Sequence, residues 1–375
     1  MFTGVRTIVV ALGGNALLRP DQRGTVEEQR ANLVVTGRQL AALADTGCRL
    51  VMTHGNGPQV GNLIRQQELA ASIIPPFTIA LCGAASQGVI GYLIQECLVE
   101  ASAERRRPLG GFDSPFHSPP VTILTRVVVD PSDPAFHHPT KPVGPLRGEG
   151  EAVAGRARGE HWTWDRRGGW RRLVPSPRPL DILEKNVIRL LASLGVTVIA
   201  GGGGGIPVTR TPEGSFQEVD AVVDKDLTSA LLAELVGADL LLLLTDVPRV
   251  ALHFGTPNQL DLAVLRPWEA ARYAAEGHFG TGSMGPKVEA AAWFAARGKY
   301  AVITSLDQAA AALWQGEGTW FVPAEKFSMP PGQSAFPFPG AAAAIWRAPR
   351  TFQTSPLETT PAGVYVESDR GICYN

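Results

Sequence analysis

Short β-branched or leucine-rich runs alternate with Ala/Leu/Glu-rich stretches along most of this 375-residue chain, and that alternation restricts the fold more than any other feature. Strand-like runs fall at 7–12, 49–53, 121–129, 196–200, 239–244 and 300–303. Helix-like stretches fall at 25–44, 58–70, 86–105, 182–194, 228–236, 267–276 and 287–296. A helix between two strands carries the chain back along the sheet, so the next strand enters parallel to the last. The fold class predicted is α/β, a mostly parallel sheet wrapped by helices.

The loops after the strands carry the functional signal. Residues 7–12 run into Gly13-Gly14-Asn15, 49–53 into His54-Gly55-Asn56-Gly57-Pro58, and 196–200 into the five glycines 201–205, among them Gly203 and Gly204. In open α/β sheets the ligand sits outside the carboxyl ends of the strands. Glycine lets the backbone approach that ligand and leaves N–H groups free to face anionic oxygens. One such turn is ordinary punctuation; three at strand ends indicate a phosphate site. Two stretches break the alternation. Residues 131–179 are rich in Pro, Gly, Arg and Trp and read as a lid or protruding subdomain within a main domain of 1–322. Residues 323–375 carry eight prolines with little periodicity beyond a strand-like run at 363–367, and read as an extension without an assigned role.

Charge and cysteine usage exclude several classes. A net charge of −1 supplies no positive field for nucleic acid or an anionic membrane. No apolar run reaches membrane-spanning length, and the densest, 238–244, contains Asp239. The first apolar run ends in glycines and reads as a strand rather than a signal peptide. Four scattered cysteines with no CxxC point to reduced thiols in the cytoplasm. The histidines show no metal-binding spacing, and Asp130-Pro-Ser-Asp-Pro134 reads as a turn, so no resident metal is expected. The P-loop pattern is absent. Gly280 to Gly285 matches GxGxxG, but a helix-like stretch precedes it where a dinucleotide site needs a strand.

Lysine is scarce, and its placement is informative. Of 34 basic residues only six are lysine, and three of these sit at turn-like positions. Lys141 lies between prolines, Lys225 between Asp224 and Asp226, and Lys287 opens a helix after Gly285-Pro286. Phosphoryl transfer needs positioned positive charge and N–H donors around the moving oxygens. A compact ammonium on a flexible stem follows such a group where a guanidinium does not. Of the arginine clusters, Arg171 and Arg172 inside the lid segment are best placed to touch phosphate.

These residues resemble the carbamate kinases of the amino-acid kinase family. The similar stretches include Val-Val-Ala-Leu-Gly-Gly-Asn-Ala-Leu (9–17), Thr-His-Gly-Asn-Gly-Pro-Gln-Val-Gly-Asn-Leu (53–63), Pro-Thr-Lys-Pro-Val-Gly-Pro (139–145), Val-Asp-Lys-Asp (223–226) and Gly-Ser-Met-Gly-Pro-Lys-Val-Glu-Ala (282–290). They occur in family order over residues 5–322. The resemblance implies an open αβα sandwich around a mainly parallel sheet, with a small protruding lid, usually as a homodimer. It implies that Gly13, Gly14, Gly55 and Asn56 frame the phosphoryl and carbamate site, with Asn15, Gly57, Gly203 and Gly204 in the same loops. Lys141 would reach in from the lid, Lys225 and Lys287 would neutralise the phosphoryl group, and Asp226 would orient the lysines. ATP or ADP would lie from Asp246 towards Met284, bringing Mg²⁺ on its phosphates. Carbamoyl phosphate from arginine, agmatine or ureides would serve ATP synthesis. The chain departs from the family pattern in an insertion at 108–119, in Asp-Arg-Arg-Gly-Gly before Trp170, and beyond 322. A kinase for another small acid, or a sensor of nucleotide or carbamoyl phosphate without catalysis, are the competing readings.

Overall fold

The computed structural model describes residues 6–19, 22–44, 47–106, 118–280 and 284–323. Residues 108–117 of the insertion, Gly282 and Ser283 of the motif before Lys287, and the extension from 324 onward lie outside them.

The first half of the chain forms β1 (Thr7–Leu12), α1 (Val26–Ala44), β2 (Arg49–His54), α2 (Gly57–Ala70), α3 (Ile79–Arg106), β3 (Val121–Thr122) and β4 (Arg126–Val129). Then come β5 (Lys141–Arg147), α4 (Glu149–Ala157), β6 (His161–Asp165), β7 (Gly169–Val174), β8 (Pro179–Ile182) and α5 (Lys185–Ser193). The second half forms β9 (Val198–Ile199), β10 (Ile206–Arg210), β11 (Phe216–Glu218), α6 (Lys225–Val236), β12 (Leu240–Thr245), β13 (Val250–Leu252) and β14 (Leu260–Leu262). It closes with β15 (Val264–Leu265), α7 (Pro267–Ala275), α8 (Met284–Ala295), β16 (Tyr300–Ser305), α9 (Ala309–Gln315) and β17 (Thr319–Phe321).

Eight strands make the main sheet in the order β15-β17-β16-β12-β1-β2-β9-β3. The six from β16 to β3 are parallel, and β17 turns back antiparallel to β16. Every residue of β1 is buried, as a strand covered on both faces requires. From β1 the chain moves through α1 to β2 in one direction; from β12 it moves through α7 and α8 to β16 in the other. Right-handed crossovers then place α1 and α8 on opposite faces. Helices α3 and α9 pack beside α1, and α6 packs beside α8. The divide between β1 and β12 is thus the point where strand order reverses, the place where such sheets open a ligand crevice.

Several expected elements differ in their bounds. The run 121–129 is two strands in two sheets, β3 at the main edge and β4 in a four-stranded sheet ordered β11-β10-β4-β8. Between them Thr125 carries the chain from one sheet to the other: its N–H donates to Gln87 Oε1 (2.8 Å), its hydroxyl accepts from the Gly201 N–H (2.8 Å), and its carbonyl accepts the Ile206 N–H of β10 (2.8 Å). Helix α3 begins at Ile79, where Asp220 Oδ1 accepts the Ile79 N–H (2.9 Å) and fixes the first turn. Lys287 does not open α8, which starts at Met284, but sits one turn inside it.

Residues 141–174 form a three-stranded sheet, β5-β7-β6, with α4 against it. It docks on α2 through a contact that only glycine permits: a Cβ at Gly61 would lie 2.1 Å from Gly144 Cα. Beside that contact Arg147 Nη1 donates to Glu68 Oε2 (2.7 Å). The arginines expected to touch phosphate make contacts within this docked segment. Arg172 Nη1 donates to Glu68 (3.4 Å), and Arg171 Nη2 donates to the Pro142 carbonyl (3.0 Å). Among the described residues no helix is long and apolar enough to cross a membrane.

Candidate active site

The carboxyl ends of β1 and β2 lie side by side, with Leu12 paired to His54. The two glycine loops therefore touch: a Cβ at Gly55 would be 3.3 Å from the Gly14 nitrogen. Gly13 in turn packs on β12, where its Cβ would meet the Leu244 carbonyl oxygen at 2.9 Å. Asn56 is the residue before α2 but does not cap it; its Nδ2 donates to Ser86 Oγ (2.8 Å). The N–H groups of Gly14, Asn56 and Gly57 donate to no protein acceptor among the described residues. They are the donors an anion needs at the mouth of a helix. The third glycine loop closes over them from the side: Gly203, with φ 64°, packs against the Asn56 amide where any side chain would collide. Gly204 is tied further back, its carbonyl accepting from Thr228 Oγ1 (2.9 Å).

The lysines gather around two carboxylates at the start of α6. Asp224 caps this helix, accepting from the Asp226 N–H through Oδ1 (2.9 Å). Its other oxygen accepts from Lys141 Nζ (2.6 Å), delivered by β5 of the three-stranded sheet. Asp226 bridges the remaining pair, taking Lys225 Nζ on Oδ1 (2.6 Å) and Lys287 Nζ on Oδ2 (3.2 Å). Their side chains keep little exposure, 12% for Lys225, 5% for Asp226 and 9% for Lys287.

Burial would raise the Asp226 pKa, but the charges of Lys225 and Lys287 outweigh it and hold the carboxyl below its usual range. The two ammoniums shift in opposite directions. Burial pushes Lys225 down, Lys287 adds to that, and Asp226 only partly offsets them. Lys287 meets the same burial cost, but Asp226, Asp224 and Asp246 together raise it. Three cations are thus held by two carboxylates, contacts of a kind that phosphate oxygens can also make.

Asp246 and Met284, expected to mark the nucleotide, lie at the end of β12 and the first residue of α8. A cavity of about 460 Å³, lined by Gly13, Asn32, Thr245, Asp246 and Ser305, opens at the carboxyl ends of β1, β12 and β16 on the α1 side. Asp246 joins this cavity to Lys287 by its charge. The segment before Gly280 is helix α7, so the strand that a dinucleotide fingerprint needs is not there.

Three further residues, Thr53, Ser229 and His54, escape a reading of glycines and lysines. Ser229 Oγ donates to the Lys225 carbonyl (2.6 Å), so Thr53, 2.6 Å from the same oxygen, is the donor in the Thr53–Ser229 pair. That chain ties β2 to the lysine helix. His54 is 1% exposed beneath the glycine loop. Its only local signal is its place between a buried strand and Gly55.

Residues 6–305 match the profile of the amino acid kinase family. A carbamate kinase from Pyrococcus horikoshii is 43% identical over 321 residues, which are 84% of this chain and 99% of that protein. Carbamate kinase 1 from Enterococcus faecium is 42% identical over 80% of this chain and 94% of its own length. Among solved structures, Giardia lamblia carbamate kinase bound to AMP-PNP superposes with a TM-score of 0.76 at 39% identity, covering 85% of this chain and 99% of that one. With that profile spanning most of the sequence and carbamate kinases more than 40% identical over nearly their whole length, this chain belongs to the amino acid kinase family, among its carbamate kinases.

Proposed function

We propose that this protein transfers a phosphoryl group reversibly between ATP and carbamate, giving ADP and carbamoyl phosphate. The observation that carries the reading is Asp226 bridging Lys225 and Lys287 beside Lys141 on Asp224, at the edge of the Gly14, Asn56 and Gly57 amides. Nothing covalent is asked of the protein. Lys141, Lys225 and Lys287 leave their carboxylates for the oxygens of the group in flight, while the amides hold the acceptor side. Asp226 keeps the lysines charged and aimed.

Nucleotide binding is supported by the Giardia relative solved with AMP-PNP, and the nucleotide is assigned to the stretch from Asp246 towards Met284, where Asp246 lines the open cavity. Magnesium fits this chain as an ion borne by the nucleotide phosphates. Among the described residues no three His, Cys, Asp or Glu side chains gather to hold it, and Asp224 and Asp226 are both engaged with lysines. Residues 131–179 act as a lid that brings Lys141 in and excludes water, within a domain of 1–322 followed by the extension 323–375. The reaction runs in the cytoplasm toward ATP, fed by carbamoyl phosphate from arginine, agmatine or ureide breakdown.

The protein works as a homodimer. Leu81, Val89, Tyr92 and Val99 form an exposed apolar stripe along α3 next to the edge strand β3, and Ile73, Ile74 and Phe77 extend it. A stripe of that length marks an interface, and a second copy is the partner that fits. Sedimentation equilibrium should give twice the chain mass; a monomer at micromolar concentration would contradict it.

The deciding assay is ATP formation from ADP, Mg²⁺ and carbamoyl phosphate, with wild type beside Lys225→Ala. Loss of one such donor should cost about 10²–10³ in kcat. A folded wild type that binds ADP but makes no ATP would sink the carbamate assignment.

A further inference from the structure

His54 ends β2 with its ring sealed from solvent, and no step above uses it. Its Nδ1 lies 3.0 Å from the Gly55 carbonyl oxygen. A carbonyl only accepts, so Nδ1 carries the proton. Burial, with the charge of Lys225 adding to it, holds the pKa down at about 4 despite the pull of that carbonyl. At neutral pH the ring is therefore uncharged and Nε2 is a bare lone pair. That nitrogen faces Gly202 so closely that a side chain there would begin 2.2 Å from it. The imidazole is wedged as one tautomer between the second and third glycine loops.

The consequence falls on the next peptide. In a planar trans peptide the C=O and the following N–H point to opposite sides. Holding the Gly55 carbonyl against the buried ring turns the Asn56 N–H the other way. That N–H donates to no protein acceptor among the described residues, and it belongs to the loop whose Gly55 touches Gly14.

We infer that His54 is a positioning residue of the phosphoryl site: its Nδ1–H holds the Gly55 carbonyl from behind and aims the Asn56 N–H at the anionic oxygens of the transferring group. The inference rests on the phosphoryl-transfer reading. A neutral ring suits the task, because a protonated one would add a cation beside Lys225 and drive a second donor into Gly202. A phenylalanine would fill the same space but leave the Gly55 carbonyl without its donor and the peptide free to rotate. An asparagine offers an amide N–H near the Nδ1 position and keeps the hold.

The test combines nitrogen NMR of ¹⁵N-histidine-labelled wild type at pH 7 with kinetics and calorimetry of His54→Phe and His54→Asn. Calorimetry uses nitrate, a planar trigonal anion, in the presence of MgADP. The His54 signal should show a neutral ring protonated at Nδ1. His54→Phe should lose tenfold or more in both kcat and nitrate affinity, with the KM for ADP unchanged. His54→Asn should stay within threefold of wild type in both. An Nε2-protonated ring or an imidazolium at pH 7 overturns the inference, as does a folded His54→Phe with wild-type kcat and nitrate affinity. Equal damage in the two variants also overturns it, since ring packing would then be the cause. If His54→Phe does not fold, the tautomer and the His54→Asn kinetics decide. A wild type that neither turns over nor binds nitrate, with the tautomer as expected, removes the phosphoryl-transfer reading and this inference with it.

Discussion

Replacing Asp226 with asparagine removes one charge and almost no volume, from a side chain that two lysines share. Lys225 and Lys287 donate to its separate oxygens at 2.6 and 3.2 Å. An amide offers one oxygen and one NH₂, so one ammonium loses its acceptor and faces a donor instead. The two ammoniums, roughly 5–6 Å apart across a single carboxyl, then repel by about 3 kcal/mol at an effective dielectric near 20. Breaking a buried pair by removing one partner costs about 3–5 kcal/mol in measured cases, which agrees. For a domain of this size that corresponds to a Tm lower by roughly 4–8 °C. The strain is relieved if Lys225, whose pKa burial already depresses, gives up its proton. A neutral Lys225 cannot stabilise the moving phosphoryl group, so kcat should fall by about 10²–10³. A bound anion replaces the lost carboxylate, so sulfate should raise the Tm of Asp226→Asn more than that of wild type. Differential scanning fluorimetry with and without sulfate, beside the coupled ATP assay, reads all three. A variant within 2 °C of wild type, within threefold in kcat, or with no extra gain from sulfate refutes the idea that Asp226 carries the lysines.

His54 gives the stability a pH signature of known sign. Its pKa is lowered from 6.5 in the unfolded chain to about 4 in the fold, so between those values only the unfolded state binds the proton. Its contribution is complete above about 6.5 and is lost as pH falls towards 4, with a slope of about 1.4 kcal/mol per pH unit. Urea unfolding of His54→Asn across that window should show a slope smaller by one proton, and an unchanged slope would mean the ring titrates normally in the fold. Gly61→Ala should lower stability by about 1–3 kcal/mol, because its Cβ must displace Gly144. Limited proteolysis should then cut within 141–174 faster than in wild type; identical cleavage would place the docking contact elsewhere.

The layout of the main sheet is legible in local composition because it depends on local causes. Residues 240–244 and 8–12 are continuous apolar runs, as central parallel strands must be, and the glycines that follow Leu12 mark a loop of the candidate site. Lys225 beside Asp226 is legible for the same reason, since the pair is adjacent in the chain. The rest is settled by partners far away in sequence. Lys141 reaches Asp224 across 83 positions, and Arg172 reaches Glu68 across 104. Both basic residues sit in Pro/Gly-rich surroundings within the same segment, and nothing local says which one faces phosphate and which is consumed in docking the lid. The decision belongs to the acids. Asp224 caps α6 at the mouth of the glycine loops, so a lysine drawn to it arrives where the anion will be. Glu68 lies in the last turn of α2, away from the mouth, so arginines drawn to it are kept from the site. A cation's role here is read from the position of the carboxylate that holds it in the absence of substrate. By that criterion Asp224 is as much part of the site as Asp226, and its signal in the sequence was its place as the helix cap before Lys225 rather than its charge.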